Sequence, residues 1–297
     1  MKVINLDLNN IKDFNVGDID ATIGAYDGIH DGHIAVINEL INHKKSKNSA
    51  IITFRNHPDI YLHKRIDEGF IETLEDKELI FSALGVDYLI ILNELFLDLT
   101  YQEFNDFLKK INVKRVVVGS DFVYGKKALG NINTLKKDFI VSVVSLINDS
   151  EGKISSSTIR KALNEGRIED ANRILKHPFT VSGIVEHGDK VGTRLGFKTA
   201  NLDLGDKYHY LRLGTYKVKV LLDNKWYQGI ANFGYNPTIK LQSRPRLETH
   251  VFDYNGNLYG KNITVSLLKF IRDEKLFDSK EELIKQIEQD IKIAMED

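Results

Sequence analysis

Several features that place proteins in special classes are missing from this sequence of 297 residues. It contains no cysteine, which excludes disulfides, thiolate zinc sites and cysteine nucleophiles. Its formal net charge of −1 provides no basic field for binding nucleic acid or an acidic membrane. No apolar run reaches membrane-spanning length, and residues 1–7 alternate like a strand instead of forming a signal-peptide core. We therefore expect a soluble, cytoplasmic protein.

Two familiar phosphate-binding patterns are missing as well, the P-loop and the glycine-rich dinucleotide fingerprint. In their place, Ile23–His33 reads I-G-A-Y-D-G-I-H-D-G-H, between a short apolar run and a helical pattern. A strand, a turn and a helix in this order bring the helix N-terminus beside the turn, where phosphates bind. We predict that His30 and His33 are catalytic and donate hydrogen bonds to developing negative charge. The predicted ATP contacts in this turn are Gly24, Tyr26, Asp27, Gly28 and Gly32.

The first half of the chain alternates apolar strands with helical patterns. The predicted strands are 21–23, 50–54, 88–92, 115–118 and 140–144, and the predicted helices are 34–43, 76–84 and 101–111. Continuously apolar strands that alternate with helices indicate a parallel sheet with both faces covered. The loops after such strands share one edge, where ligands of α/β sheets bind.

The pattern changes near the middle of the chain. A helical stretch at 159–175 is followed by strands joined through short turns, which favour an antiparallel barrel or sandwich. The predicted strands are 179–185, 214–222, 226–231, 247–252 and 263–270. Ser279–Met295 is predicted as a closing amphipathic helix with Ser279 as its N-cap and an apolar stripe of Leu283, Ile287 and Ile291. We predict two domains, 1–176 and 177–297.

Two further segments follow strands on the predicted ligand edge. Asp121 and Phe122, within G-S-D-F-V-Y-G, offer a carboxylate and a ring to a ring-bearing substrate, although a tight turn with a capping aspartate explains them equally well. His57, within F-R-N-H-P, is predicted as a second-line contact at the same edge. Both segments keep the functional and the purely structural interpretation open.

A cluster of hydroxyl residues opens the helical stretch. Ser155, Ser156 and Ser157 are ordinary N-cap residues, which by itself favours a structural role. Arg160 lies one turn inside this helix and adds a guanidinium able to grip phosphate oxygens. We predict that the three serines bind ATP and that Arg160 is catalytic.

Taken together, these motifs resemble the bacterial bifunctional riboflavin kinase/FAD synthetase family over nearly the whole chain. The family reads G-x-F-D-G-x-H-x-G-H, F-x-x-H-P, G-x-D-F-x-F-G and S-S-T-x-I-R in its first half. Here Tyr26 and Tyr124 replace phenylalanines and Ser157 replaces threonine, so each exchange keeps a ring or a hydroxyl. The resemblance implies an α/β fold with a Rossmann-like nucleotidyltransferase domain that adenylylates FMN. Its flavin contacts are predicted as Asp121, Phe122 and His57.

The second half follows the motif order of the family's riboflavin kinase. The resemblance implies an antiparallel β-barrel with a C-terminal helix, in which Thr199 and Asn201 surround Mg²⁺-ATP. Glu248 aligns with the catalytic glutamate, and Arg272 is predicted as a flavin contact. Three glycines are predicted to let backbone amides approach the phosphates in place of a P-loop: Gly188, Gly192 and Gly196.

The family implies Mg²⁺ as cofactor and riboflavin, FMN and ATP as small-molecule partners, without nucleic acid or membrane; a homo-oligomer is compatible with the sequence. Two departures keep an alternative open. Lys198 replaces the proline of P-T-A-N, which softens the loop, and Thr193 replaces the arginine of G-R-x-L-G. The alternative is an FAD synthetase whose decayed kinase domain only binds flavin. A flavin sensor without turnover is weaker still, because it gives the histidines and Glu248 no role.

Overall fold

The structure is a computed structural model in which two compact units are distinguished, Met1–Ser156 and Ser157–Asp297. The division falls in the first turn of a helix, earlier in the chain than the domain boundary after residue 176, which stays a prediction. The described residues are 1–11, 14–62, 69–145, 148–149, 152–186, 199–204, 207–209, 211–235 and 245–296.

The first unit contains ten strands: β1 Lys2–Leu6, β2 Ile19–Ile23, β3 Asn48–Phe54, β4 Tyr88–Leu92, β5 Val113–Gly119, β6 Val123–Tyr124, β7 Gly130–Asn131, β8 Ile140–Val144, β9 Asn148–Asp149 and β10 Gly152–Lys153, counted over the described residues. Six of them form a sheet in the order β1–β4–β3–β2–β5–β8. All neighbouring strands in this sheet are parallel, and β2 is buried at every position. The predicted parallel sheet is therefore confirmed. The other four strands form two short antiparallel pairs, β6–β7 and β9–β10.

Hydrogen-bonded caps fix where the helices of this unit begin. Thr73 accepts from the Asp76 amide at 3.2 Å while the Asp76 carboxylate accepts from the Thr73 amide at 2.9 Å. This capping box starts the helix at Leu74, two residues before the predicted start. The helices are α1 Asp31–Asn42, α2 Pro58–Tyr61, α3 Leu74–Ala83, α4 Tyr101–Lys110 and α5 Ile132–Leu135, with 3₁₀ turns at Glu94–Asp98 and Lys126–Ala128.

A buried arginine ties the sheet to α1. Arg115 on β5 contacts the Asp20 carboxylate at 3.3 Å and the Glu39 carboxylate at 2.7 Å. It also donates to the His43 carbonyl at 3.0 Å and to the Ser142 hydroxyl at 3.1 Å. A guanidinium with this many acceptors is satisfied inside the protein, so it fixes α1 against three strands.

The second unit contains a closed barrel of the strands β11 Thr180–Glu186, β12 Thr199–Leu202, β13 Gly214–Leu222, β14 Lys225–Gly234, β15 Arg246–Val251 and β16 Asn262–Asp273. Their order around the barrel is β11–β12–β15–β14–β13–β16, and each neighbouring pair is antiparallel. The open choice between barrel and sandwich is thus settled as a barrel. Strand β12 was not predicted, because four residues within a motif-rich loop carry little periodicity.

The helical stretch before the barrel is two helices, not one: α6 Ser156–Asn164 and α7 Ile168–Leu175. Gly166 separates them with a φ of +75°, and a Cβ there would lie 3.0 Å from the Arg212 side chain and 3.1 Å from Phe270. Close packing and a left-handed backbone together require glycine at this break.

The predicted C-terminal helix is confirmed as α8 Lys280–Met295. The Ser279 hydroxyl accepts from the Glu282 amide at 3.2 Å, as expected for an N-cap. Ile287 and Ile291 pack against Ile230 and Phe252 of the barrel. In the part of the chain that the structure describes, no helix combines the length and apolar character needed to cross a membrane.

Candidate active sites

The turn between β2 and α1 lies at the carboxyl end of the parallel sheet, as does the segment after β5. Tyr26 and Gly28 adopt left-handed backbone, with φ of 50° and 71°. The Tyr26 hydroxyl lies 2.6 Å from the Thr22 hydroxyl, and its ring meets Phe81 edge-on at 5.5 Å between centroids. Burial raises the pKa of Tyr26. Tyr26 is therefore a buried anchor of the turn.

His30 is the N-cap residue of α1. Its Nδ1 accepts a hydrogen bond from the Gly32 amide at 3.2 Å, so the proton of the neutral ring resides on Nε2. A Cβ on Gly32 would lie only 3.0 Å from the Cε1 atom of this ring. Glycine at position 32 thus permits the imidazole to fold over the start of the helix.

His33 stacks against His30, with 3.9 Å between ring centroids and 16° between planes, and Tyr26 lies 5.0 Å away. Its Nδ1 is buried and has no hydrogen-bond partner among the described residues. Burial lowers the pKa of His33 well below its ordinary value; His30 and Lys77 lower it further, against a hydrogen bond to the Gly28 carbonyl. His33 is therefore neutral near pH 7, and its Nδ1 is buried without a partner among the described residues.

Two polar contacts from the segment before α3 and one from His57 hold this turn. The Asp27 carboxylate accepts from the Ile71 amide at 2.8 Å, and the Ile29 amide donates to the Glu72 carboxylate at 2.7 Å. His57 Nε2 lies 3.7 Å from the second oxygen of Asp27. His57 thus contacts the turn, and its role as a flavin contact stays a prediction. The sequence analysis missed Glu72, because an acidic residue before a helix usually faces solvent.

The segment after β5 forms a tight turn at the same sheet edge. The Phe122 amide donates to the Gly119 carbonyl at 3.2 Å, and Asp121 is exposed. Phe122 is half-buried and stacks on Tyr124 with 5.6 Å between ring centroids. The segment forms the tight turn of the structural interpretation. Its exposed carboxylate beside a ring also suits the ligand contact of the functional interpretation.

Arg160 of α6 is half-buried beside a histidine that the sequence analysis did not identify. Arg160 donates from a terminal guanidinium nitrogen to His209 Nδ1 at 3.0 Å, and His209 Nε2 bonds to the Asn164 amide oxygen at 2.8 Å. Burial lowers the pKa of Arg160 to about 10, so it remains charged at neutral pH. Helix α6 begins at Ser156, directly after Ser155, and Ser157 is exposed. No local motif marks His209.

The predicted kinase residues lie on one outer face of the barrel. Glu248 on β15 pairs with Asn201 on β12, and Thr199 pairs with His250. On the other side, Asn232 of β14 is also opposite Glu248. Directly paired residues point to the same face of a sheet, and the buried neighbours of Glu248 mark the opposite face as the barrel interior. The barrel therefore brings these oxygen-bearing side chains together.

Arg272 has a structural partner that the sequence analysis did not foresee. Its guanidinium donates to the Asp290 carboxylate of α8 at 3.0 and 2.8 Å, and Asp290 is only 1 % exposed. The contact joins β16 to the C-terminal helix. A flavin contact through Arg272 stays a prediction. The glycines predicted to bind ATP, Gly188, Gly192 and Gly196, and the two departures, Thr193 and Lys198, lie outside the described residues.

The donors of Thr199, Asn201 and Glu248 are all oxygens, which suits Mg²⁺. Among the described residues there is no group of three or more histidine, aspartate or glutamate side chains arranged to hold a metal. Mg²⁺ commonly keeps several waters and substrate phosphates as ligands, so a few protein oxygens are a sufficient set.

Comparisons with known proteins match the two halves of the chain to two different family models. A riboflavin kinase family model matches residues 175–297 and an FAD synthetase family model matches residues 15–158. The chain is 37 % identical to a bifunctional riboflavin kinase/FMN adenylyltransferase of Listeria monocytogenes, covering 90 % of this chain and 88 % of that one. It is 35 % identical to the protein of the same name from Escherichia coli K12, covering 93 % and 91 %.

A solved structure covers the whole fold. A Streptococcus pneumoniae protein described as a macrolide-efflux protein has a TM-score of 0.88 and 31 % identity, covering 100 % of this chain and 99 % of that one. The description as an efflux protein belongs to the Streptococcus pneumoniae protein. The structural similarity confirms the fold of this chain, a nucleotidyltransferase-like sheet followed by a barrel. Family models over both halves and relatives that match along most of their length agree. The chain belongs to the bifunctional riboflavin kinase/FMN adenylyltransferase family.

Proposed function

We propose that this chain makes FAD in two steps, phosphorylating riboflavin to FMN on the barrel and adenylylating FMN in the first unit. The observation that carries the adenylyltransferase assignment is the stacked pair His30 and His33 at the capped N-terminus of α1. A helix N-terminus and two imidazoles at the ligand edge of a parallel sheet together suit a triphosphate.

In adenylyl transfer, an oxygen of the FMN phosphate bonds to the α-phosphorus of ATP as the bond to the bridging oxygen of pyrophosphate breaks. The attacking phosphate is already ionised at neutral pH, so the reaction needs alignment and charge stabilisation, not a base. His30 Nε2–H donates to a phosphate oxygen. An adjacent polyphosphate raises the pKa of His33, so that its buried Nδ1 gains a proton and donates as well.

The α6 segment is included in this proposal on its resemblance to the family motif S-S-T-x-I-R. Arg160 is assigned the neutralisation of the pyrophosphate leaving group, and its guanidinium donates to His209. Ser155, Ser156 and Ser157 contribute hydroxyls and amides from the start of the helix. Gly24, Gly28 and Gly32 allow the backbone to approach the phosphates, while Asp121, Phe122 and His57 contact the flavin.

In the kinase step, the ribityl 5′-hydroxyl of riboflavin attacks the γ-phosphorus of ATP, and ADP leaves. Glu248 accepts the hydroxyl proton, and its exposed position on the outer barrel face gives substrate access to the carboxylate. Thr199 and Asn201 hold Mg²⁺, which supplies charge neutralisation on the phosphates when bound. We assign this reaction to residues 177–297 and the first to residues 1–176, and we place the enzyme in the cytoplasm.

The deciding experiment is chromatography of purified protein incubated with ATP, Mg²⁺ and either riboflavin or FMN. Formation of FMN and then FAD from riboflavin supports both steps and shows that Lys198 and Thr193 are tolerated. FAD formed only from added FMN refutes the kinase assignment and leaves the single-activity synthetase. Binding of flavin without any product refutes both steps and supports the sensor.

A further inference from the structure

Lys77 of α3 is fully buried, unlike an ordinary lysine on a helix surface. A buried ammonium is costly unless it has partners. Its Nζ donates to the Ala25 carbonyl at 3.1 Å and lies 4.7 Å from the centroid of the Phe70 ring. The carbonyl belongs to the turn that carries His30 and His33. A cation therefore reaches from α3 into the backbone of the nucleotide-binding turn.

The same carbonyl has a second donor. The Thr53 hydroxyl of β3 donates to Ala25 at 3.2 Å. The Ile71 amide also donates to Asp27, and the Ile29 amide donates to Glu72. The turn is therefore held at three alternate residues: Ala25, Asp27 and Ile29. Three of these four contacts come from residues 71–77, at the start of α3 and just before it, so this part of the chain determines the path of the turn.

Two carboxylates offset part of the cost of burying the Lys77 ammonium. The charged and titratable groups facing Lys77 are Glu72 from the preceding segment, Asp76 from α3 and His33 from α1. Burial lowers the pKa of Lys77 to about 8, against the two carboxylates, which raise it. Most Lys77 side chains are therefore cationic at neutral pH, and the charge is lost as the pH rises past about 8.

We propose that Lys77 is a positioning residue for adenylyl transfer: its ammonium holds the Ala25 carbonyl and thereby fixes the turn that presents His30 and His33 to ATP. It acts through the backbone, without touching substrate. The inference deepens the proposed function of this turn and rests on it. Misplacement of reacting groups by about 1 Å costs on the order of 100-fold in rate, which sets the expected scale.

The test compares Lys77→Met with Thr53→Val in the full-length protein. Methionine keeps much of the volume and removes the charge, so kcat for FAD formation from FMN and ATP is expected to fall about 10- to 100-fold. The KM for ATP changes less, because Lys77 is not a phosphate contact. Thr53→Val removes the other bond to the same carbonyl and is expected to lose less than about threefold. Riboflavin phosphorylation by the same samples controls for the amount of protein and for folding of the barrel unit.

Two results overturn the inference while leaving the proposed function intact: a Lys77→Met enzyme with wild-type kcat, or one in which only the KM for ATP rises. Wild-type protein that forms no FAD instead refutes the function itself.

If Lys77→Met also loses kinase activity through misfolding, the pH profile decides. Wild-type kcat is expected to decline above about pH 8, and Lys77→Arg, which stays charged, to lack that decline. A wild-type rate that is constant from about pH 7 to 9 overturns the inference without any variant.

Discussion

The two units support the side chains that we propose to be reactive in different ways. In the first, His30 and His33 stand on a turn whose peptide groups bond to side chains 43 and 52 residues further along the chain. In the barrel, Glu248 and Asn201 are neighbours through direct strand pairing. The turn thus depends on remote side chains, whereas the barrel site depends on backbone register. Substitutions next to the turn should therefore disturb chemistry more readily than substitutions next to the barrel residues.

The largest effect is expected from removing the stacked imidazoles. His30→Ala combined with His33→Ala removes both side-chain donors at the α1 N-terminus, and we expect FAD formation from FMN to fall by at least about 1000-fold. Phosphorylation of riboflavin on the barrel should remain within about twofold, as measured by chromatography of both products. A double variant that still makes FAD contradicts the assigned role of the pair.

The corresponding change in the barrel is Glu248→Gln, which keeps the shape and removes the proton acceptor. We expect FMN formation from riboflavin to fall about 100- to 10,000-fold, the range for loss of a general base. FAD formation from supplied FMN should be unchanged. Because Asn232 lies opposite Glu248, Asn232→Ala serves as the neighbouring control and should cost much less. Equal losses of FMN formation in the two variants would contradict the role of the Glu248 carboxylate as the proton acceptor.

A moderate effect on stability is expected from breaking the contact between β16 and α8. Asp290→Asn weakens the charge-assisted bonds to Arg272 at a site that is only 1 % exposed, so the free energy of unfolding should fall by about 1–3 kcal/mol. The single tryptophan, Trp226 on β14, reports barrel unfolding by fluorescence. Asp278→Asn, at an exposed position, is the matched control. Identical transitions in both variants would contradict a supporting role for the contact.

The smallest effect is a dependence of first-unit stability on pH. Burial keeps the folded-state pKa of His33 well below 6.5, so the unfolded chain binds this proton first as the pH falls. The contribution of neutral His33 to the free energy of unfolding is therefore fully present above about pH 6.5. Below that pH the contribution declines, by at most about 1.4 kcal/mol per pH unit. Calorimetry between about pH 7 and 5 should show a shallower decline for His33→Gln. A His33→Gln variant whose stability falls with pH as steeply as the wild type would show that His33 does not cause the decline.

Local patterns predicted the architecture well and the contacts poorly. The bounds of β4, β8 and β13 follow directly from apolar runs ended by polar residues. The break at Gly166 was missed, because its cause is packing against Phe270, a residue more than 100 positions away. Periodicity records which face is apolar, and it contains no information about which distant residue will meet that face.

The same limit applies to the sites. The histidines and the serine cluster were predicted from short motifs, because their chemistry is suggested by residue type and spacing. Glu248, Thr199 and Asn201 were predicted from the family resemblance. Lys77 and Glu72 were not found, because charged residues near the start of a helix usually lie in solvent. Likewise, Asp290 appears as one more acid on an amphipathic helix until Arg272 is seen to bond with it.

The class of each half and the order of most of its elements could be read from the sequence alone. These follow from periodicity and spacing, which act within a few residues. The fold was needed to show that Lys77 donates to the Ala25 carbonyl, that Arg160 donates to His209 and that Glu248 stands between Asn201 and Asn232. Such partners come from segments distant in sequence, and their contacts exist only once the chain has folded.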